Sequence, residues 1–437
     1  GDHRDLHLSL RRQRQMCIRD SHNGKHPCIG ATDVFPIVPI SGISELECID
    51  LSRSIGKRVG DELNIPVYLY EKSAEHLLRK DLSKIREGGY KGLNKKMKKL
   101  SIYTILLTFI SSLTIAAEVN IFNARHYKAD AELYSKFTNK TGIKVNLING
   151  KAGALEKRMI EEGADSSADL YITADAGRCG AFKAKGMTQG GLISPAIKAA
   201  VPSNFRTNHW TGIAKRARIV YYAPDRVSGA ELSGLTYESL ADPKWKGRLV
   251  IRASGNIYNK SLVASLVKNN GKKATADWAK GVVANMARTP TGNDRAQIMA
   301  VAAGEADIAV ANTYYLALML SGNKGAEQQA AAKKVKAFFP NQNDRGTHMN
   351  ISCAALVKGA PNKSNAIKLV EFLLTPEAQE HFTNNTFEFP MIDGVSPSPL
   401  VVNNIGLDFK QDLKTKVSSY GAKQADALEV MTAAGWK

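Results

Sequence analysis

Two adjacent tyrosines, Tyr314 and Tyr315, follow an apolar run that has the length and composition of a buried strand. The phenol ring packs well in a protein interior, but a buried hydroxyl needs a hydrogen-bond partner or a ligand. Taken alone, a tyrosine pair in this position is more often a packing feature. It gains chemical meaning only if other oxygen donors are brought to it.

Three other segments carry donors at predicted strand ends or in loops. His126 and Tyr127 follow the first strand-like run, and Tyr258 lies in a glycine- and asparagine-rich segment after another. Arg216 and Arg218 lie in a basic segment that enters a third run. Loops at strand ends are where open α/β sheets bind ligands, so these positions suit a cleft.

The donor types favour a hard, highly charged cation. Ferric iron prefers anionic oxygen to thiolate or thioether, and three or four tyrosinates would nearly or fully neutralise it. An imidazole could fill a further position. Each residue also has a plainer interpretation: His126 as a surface histidine and Tyr258 as a packing anchor. Sequence spacing does not show whether the donors converge.

The composition excludes several other classes of protein. The chain has 437 residues, 43% of them hydrophobic, and a formal net charge of +19. Its basic residues are scattered, whereas a nucleic-acid binder usually concentrates them in a stripe or tail, so we expect no nucleic-acid partner. Five cysteines without Cys-x-x-Cys spacing argue against zinc ribbons, iron–sulfur clusters and thioredoxin-type chemistry. The sequence leaves open whether Cys179 and Cys353 pair.

An apolar run after a lysine cluster predicts a secretory signal peptide at residues 97–117, with cleavage near Ala117. The alternative is a membrane anchor, because a run of about 18 residues reaches the lower limit for a spanning helix. Hydroxylated residues inside the run and small residues at its end favour cleavage. We therefore expect residues 118–437 to be exported to the periplasm.

The segment before this signal has a different character. Residues 1–20 encode no recognisable fold and are interpreted as a non-natural or unstructured leader. Residues 21–94 contain the stretch from His26 to Ala74, which resembles an internal piece of a glutamate formiminotransferase, an α/β enzyme of another fold. That resemblance implies a catalytic role for His26, but so short a fragment cannot build the site. We expect no activity from it, and a natural protein that comprises residues 97–437.

Strand-like and helix-like runs alternate after Glu118, which predicts an α/β protein with parallel sheets, and the length suits two lobes. Apolar positions at helical spacing predict a helix around residues 366–374, and Thr375 and Pro376 mark the start of the next. The predicted strands are Val119–Phe122, Ile143–Ile148, Leu170–Thr173, Ile219–Tyr222, Leu249–Ile251, Ile308–Ala311 and Ala354–Val357.

Four motifs taken together resemble the periplasmic ferric-iron-binding proteins of bacterial ABC importers: RHY, SGNIYN, GNDRAQIMAVAAGEADIAVANTYY and FPNQNDRGTHMNIS. The resemblance covers residues 118–437. It implies a type II periplasmic-binding-protein fold, with lobe 1 at about 118–217 and 345–395, lobe 2 at about 222–340 plus the C-terminal helices, and a hinge of crossing strands. It also implies Fe³⁺ as the bound ligand, an ABC permease in the inner membrane as partner, a monomer, and no enzymatic activity.

The motifs assign expected iron ligands, residue by residue. Tyr258, Tyr314 and Tyr315 are joined by Tyr127 and His126. Arg218, or with less support Arg216, matches a basic position near the iron. No acidic residue matches the one that other family members use with a carbonate or phosphate, so a synergistic anion is not expected.

Several points stay open at this stage. The same fold could bind phosphate, another anion or chelated iron, although clustered tyrosines favour iron over a free anion. The other alternative is a formiminotransferase function through the upstream fragment. The sequence does not decide between ferric and ferrous iron, or give the coordination number.

Overall fold

The computed structural model describes residues 44–63, 67, 69–74, 81, 117–125, 127 and 129–437. The chain divides into two compact units, Gly1–Leu113 and Thr114–Lys437. His26 and the predicted signal peptide before Ala117 lie outside the described residues. In the part of the chain so described, no helix is long and apolar enough to cross a membrane.

The described part of the first unit contains one helix, α1 (Glu45–Leu63), and a short 3₁₀ turn, Glu71–Ser73. Ser44 starts the helix with a reciprocal cap. The Ser44 hydroxyl accepts from the Glu47 amide at 3.3 Å, and the Glu47 carboxylate accepts from the Ser44 amide at 2.8 Å. This arrangement satisfies two amides that have no partner within the helix.

The second unit is an α/β domain. Its strands are β1 (Glu118–Asn123), β2 (Lys144–Asn149), β3 (Leu170–Thr173), β4 (Trp210–Tyr222), β5 (Leu249–Val250), β6 (Ile308–Asn312), β7 (Lys336–Phe338) and β8 (Met349–Leu356). Its helices are α2 (Asp130–Thr141), α3 (Ala152–Glu162), α4 (Ala176–Ala184), α5 (Pro195–Ala200), α6 (Gly229–Leu232), α7 (Ile257–Asn270), α8 (Lys272–Asn285), α9 (Asp294–Ala303), α10 (Tyr314–Leu320), α11 (Ala326–Ala332), α12 (Lys363–Leu373), α13 (Pro376–Thr386), α14 (Pro399–Asn404) and α15 (Ser418–Ala433).

Seven predicted strands are present, five of them within one residue at either end, whereas β4 and β8 extend much further toward their N-termini. β4 starts at Trp210 instead of Ile219, and its added part includes the buried side chains of Arg216 and Arg218. Polar residues in that stretch hide the strand from a pattern based on apolar runs. β7 was not predicted.

The expectation of parallel sheets is only partly correct, because the sheet is mixed. The strand order is β2-β1-β3-β8-β4-β6-β5, with β7 paired to β4. β1 pairs in parallel with β2 and β3, and β5 pairs in parallel with β6, but β4 and β8 run antiparallel to their neighbours. Alternating strands and helices account for the parallel pairs. They do not reveal strands that cross back between two groups.

β4 is the strand that connects these two groups. Residues 210–217 pair with β8, and residues 218–222 pair with β6. We call β1, β2, β3 and β8, with helices α2 to α5, α12 and α13, the first half of the domain. The second half comprises β5, β6 and β7 with helices α7 to α11.

Two local predictions are confirmed, and one open question is answered. Helix α12 buries Ala366, Leu369, Val370 and Leu373 on one face. The Thr375 hydroxyl caps α13 by accepting from the Ala378 amide. Cys179 of α4 and Cys353 of β8 form a disulfide across 174 residues of sequence.

Candidate metal-binding site

The four candidate tyrosines follow strands of both halves. Tyr314 and Tyr315 are the first two residues of α10, which is separated from the end of β6 by one residue. Tyr258 is the second residue of α7, not a loop residue, and the Asn256 side chain caps that helix by accepting from the Tyr258 amide at 3.0 Å. Tyr127 follows β1 in the first half.

These tyrosines converge. The hydroxyl oxygens of Tyr314 and Tyr258 are 3.3 Å apart. The ring centres of Tyr314 and Tyr315 are 4.2 Å apart, and Tyr127 meets Tyr314 edge-on at 6.4 Å. The cleft between the two halves is therefore closed over a cluster of phenols, which we call the tyrosine cluster (Tyr127, Tyr258, Tyr314 and Tyr315). His126 lies outside the described residues, so the structure does not place it.

Burial acts against ionisation of these phenols. Burial and the proximity of Tyr258 raise the pKa of Tyr314 and of Tyr315 well above the ordinary value. Burial, followed by the charge of Glu388, does the same to the pKa of Tyr127, and the charges of Arg125 and Arg216 only partly oppose it. Phenols held in this way stay protonated at neutral pH unless a bound cation takes the place of the protons.

Arg216 is the predicted arginine whose guanidinium lies against the tyrosine cluster, 5.8 Å from the centre of the Tyr314 ring. It is fully buried and pairs with the buried carboxylate of Glu388. Arg125 forms an ion pair with the same carboxylate at 3.0 Å and lies 4.7 Å from the centre of the Tyr127 ring. Arg125 also pairs with the buried carboxylate of Asp130 at 2.9 Å, so two arginines and two carboxylates compensate one another behind the cluster.

Sequence reasoning missed Arg125 and Glu388. It found no acid for the site, and the structure does place Glu388 beside the cluster. Both carboxylate oxygens are already bonded, one to Arg216 and Ser352, the other to Arg125 and Thr386. Two signals were available: Arg125 directly precedes His126, and Glu388 is an isolated acid in an apolar segment.

Arg218, which the sequence ranked first, points into a different network. Its guanidinium donates to Asp294 at 2.8 Å, to Asn312 at 3.0 Å and to Asn259 at 2.6 Å. Asp294 also accepts from Arg252 at 2.7 Å, and the Arg252 guanidinium lies 5.8 Å from the centre of the Tyr258 ring. Arg252 was not predicted, yet its guanidinium lies beside Tyr258.

The donor set limits the metals that fit. Within the described ranges, no group of three or more His, Cys, Asp or Glu residues could hold a metal ion. A metal at this position would depend on phenolate oxygens, which favour a hard cation of high charge. A soft or weakly charged metal would bind the phenolates less strongly, and so would not offset the cost of removing protons from buried phenols.

Two family models match different parts of the chain. A family described as bacterial extracellular solute-binding protein matches residues 165–409. A second, described as the N-terminal subdomain of the formiminotransferase domain, matches residues 18–105. The two matches therefore divide the chain, as the sequence patterns do, into an upstream fragment and a solute-binding protein.

Individual relatives cover most of the chain. Iron uptake protein A1 of Synechocystis sp. is 48% identical over 322 residues, which is 73% of this chain and 88% of that protein. The structure of FutA (IdiA) from Trichodesmium in complex with iron and citrate has a TM-score of 0.70 and 48% identity, and covers 74% of this chain and 100% of that one. The ferric binding protein from Campylobacter jejuni has a TM-score of 0.68 and 38% identity, and covers 73% and 100%.

Proposed function

The chain belongs to the family of bacterial extracellular solute-binding proteins, and from that premise we propose that it captures ferric iron in the periplasm and delivers it to an ABC transporter. Its fold is the type II periplasmic-binding-protein fold of its structural relatives. The observation that carries the proposal is the convergence of four phenols from both halves of the domain. The names of the relatives, which include iron uptake and ferric binding, agree with it.

The proposed ligands are the four residues of the tyrosine cluster, with His126 as a further ligand. Four tyrosinates carry one more negative charge than a ferric ion carries positive charge. Arg216, 5.8 Å from the Tyr314 ring, is placed to offset that surplus. A divalent ion would leave a larger surplus in a buried site, so the cluster should favour the trivalent state.

Capture and closure form one equilibrium in this proposal. Lobe 1, at about 118–217 and 345–395, supplies Tyr127, while lobe 2 supplies the other three tyrosines. An ion bonded to both lobes stabilises the closed form, because it loses ligands when the cleft opens. Protonation of the tyrosinates or reduction of the metal removes charge attraction and would favour release to the permease.

In this proposal the segments before residue 118 do not take part in binding the ion. We propose that residues 97–117 direct export and are removed near Ala117. The upstream match is to one subdomain of the formiminotransferase domain, so a complete enzyme site is not expected there. The exported protein would act as a monomer and not as an enzyme.

A titration of the metal-free protein with a ferric chelate tests the proposal. A visible tyrosinate-to-iron charge-transfer band should grow and saturate at one ion per chain. Ferrous ion under anaerobic conditions is the control and should give no such band with much weaker binding. A colourless protein, or one that binds ferrous ion equally well, would contradict the ferric assignment.

A further inference from the structure

The side chain of Asp175 joins three elements of the domain. It caps α4, and its Oδ1 accepts from the Gly177 amide at 2.7 Å. The same oxygen accepts from the Ser261 hydroxyl of α7 at 2.7 Å, and Oδ2 accepts from the Asn350 side chain of β8 at 2.8 Å. Asp175 is 1% exposed, so these bonds form away from solvent.

The bond between Asp175 and Ser261 connects the two halves of the domain. Asp175 follows β3, which is in the first half, whereas α7 follows β5 in the second. Ser261 lies three residues after Tyr258, so both side chains lie on one face of the first turns of α7. A contact that holds Ser261 therefore also holds the part of α7 that carries Tyr258.

Glycines allow the surrounding helices to approach closely. A Cβ atom on Gly177 would collide with the side-chain amide of Gln424 in α15. A Cβ atom on Gly421 of α15 would lie 2.7 Å from the backbone of Gly180 in α4. Helix α4 of the first half is thus fitted against α15, and α15 in turn packs on α7.

We infer that Asp175 is a positioning residue for iron capture, which fastens the first turn of α7, and with it Tyr258, to the opposite half through Ser261. This inference rests on the proposed function. In an open cleft, water would solvate the carboxylate and the hydroxyl separately. The closed form replaces that water with a buried, charge-assisted hydrogen bond, which is stronger than a neutral one.

The contact between Asp175 and Ser261, which we call the latch, should therefore slow the release of iron more than it affects folding. Ser261→Ala removes the donor, and loss of a buried hydrogen bond to a charged group corresponds to about a tenfold change in rate or more. Ser265→Ala is the matched control, because Ser265 is buried in the same helix and its hydroxyl donates only to the Leu262 carbonyl at 2.6 Å. The ferric-loaded proteins are mixed with excess chelator, and decay of the visible band gives the release rate.

We expect Ser261→Ala to keep the wild-type band and stoichiometry but to release iron about tenfold faster than Ser265→Ala. Equal release rates for the two variants would overturn the latch while leaving the ferric function intact. Absence of the band in the wild-type protein would overturn the ferric function instead. The two failures are therefore distinguishable.

A second variant keeps the inference testable if Ser261→Ala folds poorly. Asp175→Asn retains an acceptor for the Gly177 amide but loses the charge at the contact. It should also accelerate release, and the Asp175→Asn, Ser261→Ala double variant should release iron more slowly than the product of the two single effects predicts, because both substitutions weaken the bond between residues 175 and 261. Fully additive effects would contradict the latch.

Discussion

The hydroxyl oxygens of Tyr258 and Tyr314 are 3.3 Å apart, although 56 residues separate them in sequence. Bonds between metals and protein oxygens are about 2 Å long, so one ion could contact both oxygens without moving either helix. Each tyrosine lies in the first turn of a helix, where backbone geometry fixes its direction. The pair therefore provides a preformed edge of the proposed iron site, which closure completes with Tyr127.

Tyr314→Phe should abolish most of the affinity for ferric iron. Losing even an outer partner of a metal ligand typically costs 10–100-fold, so loss of a ligand should cost more than about 100-fold. The charge-transfer band should weaken and shift. Competition with a chelator gives the affinity, and absorbance gives the band. Tyr222→Phe, at the end of β4, is the control and should behave as wild type. Equal losses of affinity in the two variants would show that Tyr314 is not an iron ligand.

Iron binding should release protons and strengthen as pH rises. Burial and neighbouring phenols raise the pKa of Tyr314 and Tyr315, and burial with Glu388 raises that of Tyr127, so the metal-free phenols are protonated at neutral pH. We expect about four protons per ion on binding, because all four ligand phenols must ionise. Proton uptake by buffer, measured calorimetrically against the chelate alone, checks this. A pH-independent affinity between pH 6 and 8 would contradict tyrosinate coordination.

Glu388→Gln should destabilise the fold by about 3–5 kcal/mol, because it leaves Arg125 and Arg216 buried with less compensation. Denaturant unfolding measures the change. Glu377→Gln, which removes an exposed ion pair with Lys140, is the control and should have little effect. If Glu388→Gln lowers the free energy of unfolding as little as Glu377→Gln does, the buried Glu388 carboxylate does not stabilise the fold.

The carboxylate of Glu388 should also make the stability of the folded protein depend on pH. Burial would raise the pKa of Glu388, but the charges of Arg125 and Arg216 outweigh it and hold the pKa below its ordinary value. Such a group stabilises the fold above the carboxyl pKa of the unfolded chain, and this stability is lost as pH falls through the folded-state value. The wild-type protein should therefore lose its advantage over Glu388→Gln in acid. An advantage that grows toward low pH would contradict this sign.

The Cys179–Cys353 disulfide should stabilise the domain by about 2–5 kcal/mol, since it closes a long loop in the unfolded chain. Unfolding with and without reductant measures this contribution. The Cys179→Ala, Cys353→Ala double variant should match the reduced protein and show no further response to reductant. A response in the double variant would assign the effect to other groups.

The exported protein should begin near Glu118. N-terminal mass spectrometry of the protein from source cells checks the cleavage site, and the purified 118–437 chain should bind ferric iron as tightly as the full chain. A periplasmic product that retains residues 1–96 would contradict both the cleavage and the view that the upstream segment is foreign.

The sequence by itself determined the local features of this protein. The Thr375 cap, the apolar face of α12 and five of the strands follow from spacing that reflects backbone periodicity, and these appear where predicted. It also supplied the residue types of the candidate site. Such features depend on neighbours within a few positions, which a pattern can register.

Only the tertiary structure decided how these parts meet. In the folded domain Cys179 pairs with Cys353, and β4 pairs with strands of both halves. Arg216 lies against the tyrosines, whereas Arg218 binds Asp294. The structure also revealed the roles of Arg125 and Glu388, which are far apart in sequence and form a buried ion pair. Contacts of this kind depend on the packing of the whole core and on the need to compensate buried charge. The spacing of nearby residues in the sequence does not specify either of these.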